Sequence, residues 1–168
     1  MKRTLIALVE DKPGVLDRVA SLFRRRAFNI DSLTVGRTEK PGVSRMTVVV
    51  DTRTTDCDKV AGNLRKLVNV LQVDDVSDRP AVQHDLALIK VSTGEGARPE
   101  IMRIAETFQA RIVDMGTASL MVEITGPEEK VDGLVGVLRP FGIVEMVRTG
   151  QVAMVRSGCE ASRSPASG

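Results

Sequence analysis

The sequence predicts an α+β protein made of two tandem βαββαβ units, on three observations. Strand-like and helix-like apolar periods follow one another in that order twice. Segments of the first half echo in the second: "FRRRAFNIDSLTVG" followed by "SRMTVVVD" matches "FQARIVDMGTASLMVEITG" with a shorter turn, and "LRKLVNVLQV" matches "LRPFGIVEMV". Between the halves, Ser77 to Gln83 (SDRPAVQ) is polar and carries Pro80, the composition of a linker. Residues 1–77 are therefore read as one unit, 78–83 as the linker, 84–156 as the second unit and 157–168 as a small, polar, flexible tail.

In the first unit, Thr4 to Val9 (TLIALV) is an apolar strand. Val15, Leu16, Val19, Ala20, Leu22 and Phe23 then fall on one helix face. Phe28 to Val35 alternates as a strand, with Phe28, Ile30 and Ser32 on one side and Asn29, Asp31 and Leu33 on the other. Gly36 to Gly42 is a turn ending in Pro41-Gly42, and Val43 to Val50 returns as the hairpin partner. Asp56 to Leu67 has the helix period, and Val70 to Val76 closes the unit as a strand.

The second unit repeats the plan. Asp85 to Val91 is a strand and Pro99 to Phe108 a helix. Arg111 to Met115 and Leu120 to Ile124 form a hairpin around Gly116-Thr117. Glu128 to Leu138 is a helix, and Ile143 to Val155 a long last strand. Each unit would build an antiparallel sheet with both helices on one face. The open face and an exposed edge strand then call for cover, which a second copy of the chain would supply, so a homodimer is expected.

Composition narrows the function. Among 168 residues, 24 basic and 22 acidic side chains give a net charge of +2, too balanced for a nucleic-acid footprint. Arg24-Arg25-Arg26 closes a predicted helix, where cations complement the dipole. Base stacking on such a sheet needs strand aromatics, and of four Phe only Phe28 opens a strand, with no Tyr or Trp. No apolar stretch is long enough to span a bilayer, and Met1-Lys2-Arg3 leads into too short an apolar run for a signal peptide, so a cytoplasmic protein is expected. Cys57 and Cys159 lack metal spacing, and His84 is the only histidine. No nucleophile elbow, zinc-protease helix, P-loop or dinucleotide fingerprint is present, and Gly94-Glu95-Gly96 alone is a weak signal. The chain is read as binding, without catalytic or metal-ligating residues.

One stretch carries binding chemistry. In "VEDKPGVL", Asp11 can cap the following helix and Pro13 suits its first turn. Gly14 leaves space in front of outward-pointing amides, which a carboxylate can approach. Glu10 and Asp11 could meet an ammonium group, so the stretch suits a free amino acid. The same residues also fit an ordinary capped turn, and locally both readings stand.

With these residues in place, the chain resembles a known family. "LVEDKPGVLDRVASLFRRRAFNIDSLTVG", "SRMTVVV", "LRKLVNVLQV", "DLALIKV" and "VRTGQVAMVRSG" resemble the small regulatory subunits of acetohydroxyacid (acetolactate) synthase, from Thr4 to about Arg156. The first half resembles the ACT domain, through the D-x-P-G-x-L pattern Asp11-Lys12-Pro13-Gly14-Val15-Leu16, the pair Asn29-Ile30 and Ser44-Arg45-Met46-Thr47.

The resemblance implies a ferredoxin-like fold in each half and a homodimer through paired ACT domains. It implies feedback control by valine, or by another branched-chain amino acid, bound between the paired units. The pocket would use Glu10, Asp11, Lys12, Pro13, Gly14, Val15 and Leu16 of one chain and Asn29 and Ile30 of the other. Leu33, Val35 and Gly36 would line the interface. The implied partner is the catalytic large subunit, which would hold thiamine diphosphate, Mg²⁺ and FAD; this chain would hold no cofactor. The alternative is a stand-alone ACT regulator of another protein.

At Ala27 the resemblance departs, because the family carries Gly there. A helix ending at Arg26 would place this residue in the left-handed region, which Ala enters at a cost on the order of 1 kcal/mol.

Overall fold

A computed structural model of the chain describes residues 1–159, so the expected flexible tail lies outside the described residues except for Ser157 to Cys159. The elements follow the predicted order. They are β1 (Lys2–Glu10), α1 (Val15–Arg25), β2 (Ile30–Arg37), β3 (Val43–Asp51), α2 (Cys57–Leu64) and β4 (Val70–Asp75). After them come β5 (Ala81–Ser92), α3 (Arg98–Thr107), β6 (Arg111–Met115), β7 (Ser119–Gly126), α4 (Glu128–Leu138), β8 (Ile143–Arg148) and β9 (Val152–Val155). Two antiparallel sheets result, in the orders β2-β3-β1-β4 and β6-β7-β5-β8, with β9 joined to β5 beside the second path. No described helix is long and apolar enough to cross a membrane.

In the first sheet, one face takes the alternate residues Leu5, Ala7 and Val9 of β1 and Met46, Val48 and Val50 of β3. Helix α1 closes over this face through Val15, Val19, Leu22 and Phe23, and α2 through Val60, Ala61 and Leu64. The i, i+4, i+7, i+8 stripe on α1 is narrow, so Leu16 and Ala20 turn outward, against the expected wider face. Leu16 is 51% exposed. Helix α2 is shorter than expected: Asp56 caps it through the Asp58 and Lys59 amides, and i→i+3 bonds from Lys66 and Leu67 tighten the chain beyond Leu64. The second unit repeats this core with Ile89, Val91, Leu120, Val122, Ile101 and Leu134.

The internal repeat extends to irregularities. Strand β1 shifts register against β4 between Leu8 and Val9, and β5 shifts against β8 between Lys90 and Val91. Strand β2 has a bulge between Ile30 and Ser32, and β6 has one between Ile112 and Asp114. The bulge at Asp31 corrects the expected faces. One extra residue flips the alternation, so Ile30 (opposite Val50), Leu33 (opposite Val48) and Val35 (opposite Met46) share the helix-covered face. Ser32 and Thr34 face the open side, and β2 begins at Ile30 instead of Phe28.

Helices α1 and α3 end alike. Ala27 has φ 51° and Gln109 φ 54°. The Phe28 amide donates to the Phe23 carbonyl and the Ala27 amide to Arg24; Ala110 to Ala105 and Gln109 to Glu106 repeat the pair. This is a Schellman cap with non-glycine residues in the left-handed position. Ala27→Gly is expected to raise the stability of the first unit by about 1 kcal/mol, and Gln109→Gly to do the same for the second. Each shifts a thermal midpoint by a few degrees; unchanged melting curves would remove the strain argument.

The chain end departs from expectation. The strand expected over Ile143 to Val155 breaks at Thr149, Gly150 and Gln151, and β9 groups with the first unit. Among the described residues, the compact units comprise Met1–Val82 together with the chain from Val152 to Cys159, and Gln83–Gln151. Ala153 and Val155 pack with Ile6 and Val76, covering part of the first sheet's open face. The Ala153 carbonyl accepts from the Arg45 guanidinium at 2.7 Å, and the Arg156 amide donates to Pro80 at 2.9 Å. Ala81 to Gln83, expected in the linker, already belong to β5.

Cys57 opens α2 at 3% exposure. Burial first, and then the Asp75 carboxylate 3.7 Å from its sulfur, push its thiol up to about 11. At pH 8 only about a thousandth of it is thiolate. Iodoacetamide is therefore expected to modify exposed Cys159 and to reach Cys57 only on unfolding, as peptide mass mapping would show.

Candidate functional site

The end of β1 turns sharply into α1. The Val15 amide donates to the Lys12 carbonyl at 3.4 Å, and Gly14 sits at φ 83°, ψ −8°. Pro followed by glycine with these angles is the pattern of a type II turn, which needs positive φ at its third residue. A Cβ on Gly14 would meet nothing within 4 Å, so the glycine is required by backbone angle, not by crowding within this chain.

Helix α1 has no side-chain cap. Asp11, the expected cap, is held elsewhere: its amide donates to the Gly42 carbonyl at 2.8 Å, and its carboxylate lies 3.5 Å from the Arg37 guanidinium. Pro13 precedes the helix instead of opening it. The Leu16 and Asp17 amides are consequently first-turn donors without an intrahelical partner, pointing out beside the turn at the positive end of the helix dipole.

The corner is fixed from behind by Asn69, a buried polar residue that the sequence reading did not single out. Its carbonyl accepts from the Glu10 amide at 2.9 Å, and its side-chain amide donates to the Glu10 carboxylate at 2.8 Å. Arg18 of α1 donates to the Asn69 side-chain oxygen. The Asn69 amide, followed by Lys12 with its ammonium 3.0 Å away, holds the Glu10 carboxyl below its ordinary range. Within the chain, both acids expected to meet an ammonium group thus have protein partners. What the corner offers is amide donors and the cations Lys12, Arg18 and Arg37, a setting for a carboxylate.

Of the other expected residues, Leu33 and Val35 are exposed on edge strand β2, at 37% and 44%. Gly36 pairs with Arg45 near the same end of the sheet as the corner. Asn29 and Ile30 lie at the opposite end, because Ile30 pairs with Val50 while Glu10 pairs with Val43. Seven strand residues at about 3.3 Å each separate the two ends by about 20 Å. The Asn29 amide donates to Thr55 Oγ1 at 2.9 Å, and its side chain reaches Thr54 Oγ1 at 3.5 Å. A single chain therefore assembles the Glu10–Leu16 corner and the β2 edge, and does not bring Asn29 to them.

Fold and corner together define a regulatory module of the ACT type followed by a second domain of the same plan. Residues 5–72 match the family model of the acetohydroxyacid synthase small subunit-like ACT domain, and residues 84–157 that of the small subunit of acetolactate synthase. A probable acetolactate synthase small subunit from Archaeoglobus fulgidus is 47% identical over 156 residues, 93% of this chain and 98% of that protein. The acetolactate synthase small subunit of Mycobacterium bovis is 46% identical over 153 residues, 91% of each. The crystal structure of the acetolactate synthase small subunit from Thermotoga maritima superposes with a TM-score of 0.84 at 36% identity, covering 93% of this chain and 98% of that one. The chain belongs to the acetolactate synthase small-subunit family.

Proposed function

We propose that this chain is the regulatory subunit of an acetolactate synthase, raising the activity of a catalytic large subunit and conferring feedback inhibition by valine or another branched-chain amino acid. The observation that carries the reading is the Gly14 corner. A type II turn with positive φ presents α1 amides uncapped by any side chain, anchored by Asn69, in a segment that matches this family's ACT domain.

The effector carboxylate sits against the Leu16 and Asp17 amides, with Lys12, Pro13 and Gly14 shaping the approach and Glu10 and Asp11 holding the turn in place. Leu16, and Val15 at the helix start, supply apolar contact for a branched side chain. Asn29 and Ile30 reach the site from a second copy, with Leu33, Val35 and Gly36 between the two. The thiamine diphosphate, Mg²⁺ and FAD needed for condensing 2-oxo acids belong to the catalytic partner in the cytoplasm, and this chain acts by docking.

Co-purification with a thiamine-diphosphate enzyme separates this function from that of a stand-alone regulator, which would not retain such a partner. Calorimetry of the chain with valine, leucine and isoleucine reads the effector, and absence of heat with all three would remove the sensor.

A further inference from the structure

We infer that two ion pairs of opposite direction, Arg3–Asp75 in the first unit and Asp85–Arg148 in the second, keep each closing edge strand with its own sheet when the chain folds.

The two units offer their closing strands the same backbone frame. Leu5, Ala7 and Val9 of β1 oppose Asp75, Val73 and Val70 of β4. Ala87, Ile89 and Val91 of β5 oppose Arg148, Met146 and Ile143 of β8, with the register shift at the same place. On the helix-covered face β4 thus presents two apolar residues and an acid, and β8 two apolar residues and a base. Register and apolar pattern fit either strand to either sheet, and tandem repeats are prone to exchange equivalent elements.

Charge tells the strands apart. In the first unit the arginine is on the central strand. Arg3 Nη2 lies 2.6 Å from Asp75 Oδ2, and Nη1 lies 3.9 Å from Asp58 of α2. In the second unit the arginine is on the edge strand. Arg148 Nε donates to Asp85 Oδ2 at 2.8 Å, and Nη1 donates to Asp132 of α4 at 2.6 Å. The helix acids hold equivalent places: Asp58 follows buried Cys57, and Asp132 follows buried Val131. Each unit therefore sets one arginine between a strand acid and a helix acid, with the strand charges reversed.

Exchange breaks both arrangements. With β4 on β5, Asp75, Asp85 and Asp132 would meet with no arginine between them. With β8 on β1, Arg148 would stand against Arg3. Like charges on a half-buried face disfavour both outcomes. Stability alone does not account for the second pair. Asp85 is 7% exposed, and its Oδ1 is buried without a hydrogen-bond partner among the described residues. A buried ion pair left so stabilises no better than apolar residues of similar volume, and selecting one pairing over another is its best-attested use.

A reporter disulfide reads the exchange. Asp74→Cys and Leu88→Cys are placed in a chain whose Cys57 and Cys159 are replaced by Ser. In the native sheets these positions oppose Ile6 and Val147, and they oppose each other when β4 lies on β5. Refolding from urea with copper phenanthroline present, followed by peptide mass mapping, gives the fraction linked. Asp85→Arg with Arg148→Asp gives both units one polarity while keeping an ion pair in each, and is expected to raise the link at least about tenfold. Arg3→Asp with Asp75→Arg reaches one polarity from the other side and should do the same. All four substitutions together restore opposite polarity and should return the link to its starting level, which a loss of stability alone would not do. A link unchanged by either reversal, or a raised link that the fourfold reversal leaves in place, would overturn the inference. A reversed chain that refolds only as aggregate should become soluble on reversing the other pair, and aggregation that persists would overturn it too.

Discussion

Gly14→Asp is expected to abolish inhibition by valine while leaving activation of the catalytic subunit in place. No atom lies within 4 Å of the new Cβ, so the cost within the chain is one of backbone angle. Aspartate is among the residues that tolerate positive φ, at a cost on the order of 1 kcal/mol. That is small against the 5–15 kcal/mol that hold a domain of ordinary stability. The new carboxylate takes the Leu16 and Asp17 amides for itself and stands where the effector carboxylate would sit. Two unit charges about 4 Å apart repel by about 4 kcal/mol at an effective dielectric of 20, which is about a thousandfold in affinity. Gly14→Ala supplies the control, since it carries the strain without the charge and should remain inhibitable at higher valine. Full inhibition of Gly14→Asp, read as acetolactate formed against valine concentration, would move the pocket elsewhere.

Asn69→Ala is the second large effect. It removes the amide that donates to Glu10 and accepts from Arg18, and should cost the first unit about 2 kcal/mol. The corner must then be ordered on binding, so the half-inhibiting valine concentration should rise about tenfold, equivalent to about 1.4 kcal/mol. The loss carries a pH signature. Glu10 is held below its ordinary value chiefly by Asn69. A depressed carboxylate contributes stability above its unfolded pKa and loses it as pH falls through the folded one. The gap between wild type and Asn69→Ala should accordingly narrow below about pH 4. Denaturant titrations at neutral and acid pH measure it, and equal stability at pH 7 would contradict the anchoring role.

Valine inhibition, on this account, is a coupling between two binding events. If valine weakens the active complex, the active complex weakens valine binding by the same factor. The proposed pocket is a natural place for that coupling, since it would exist only when two chains contribute to it.

Much of the fold was legible in the sequence because periodicity and turn chemistry agreed. The 2.0 and 3.6 periods located the four α-helices and the strands up to β7, while β8 and β9 were read as one, and Pro41-Gly42 and Gly116-Thr117 marked the hairpins. Ala27 was legible as a left-handed cap through the family resemblance, which sets Gly at this position. Its partner Gln109 was hidden by an ordinary polar side chain. The bulge at Asp31 left no trace, because both faces of an edge strand carry mixed residues and a one-residue slip changes no local composition. The break after Arg148 was masked by β-branched neighbours on both sides of Gly150.

At the site, Gly14 was readable and its reason was not. Asp11 looked like a cap until its amide and carboxylate were found tied to Gly42 and Arg37. Asn69 and Arg18 act across 59 and 51 residues of sequence, which no local pattern carries.

The proposed role of this chain is to activate a catalytic subunit and make it answer to valine. Acetolactate formation by the purified large subunit, measured alone, with this chain, and with this chain plus valine, tests it most directly. The rate should rise on adding the chain and fall toward the unassisted value on adding valine. Activity unchanged by the chain, with or without valine, would contradict it.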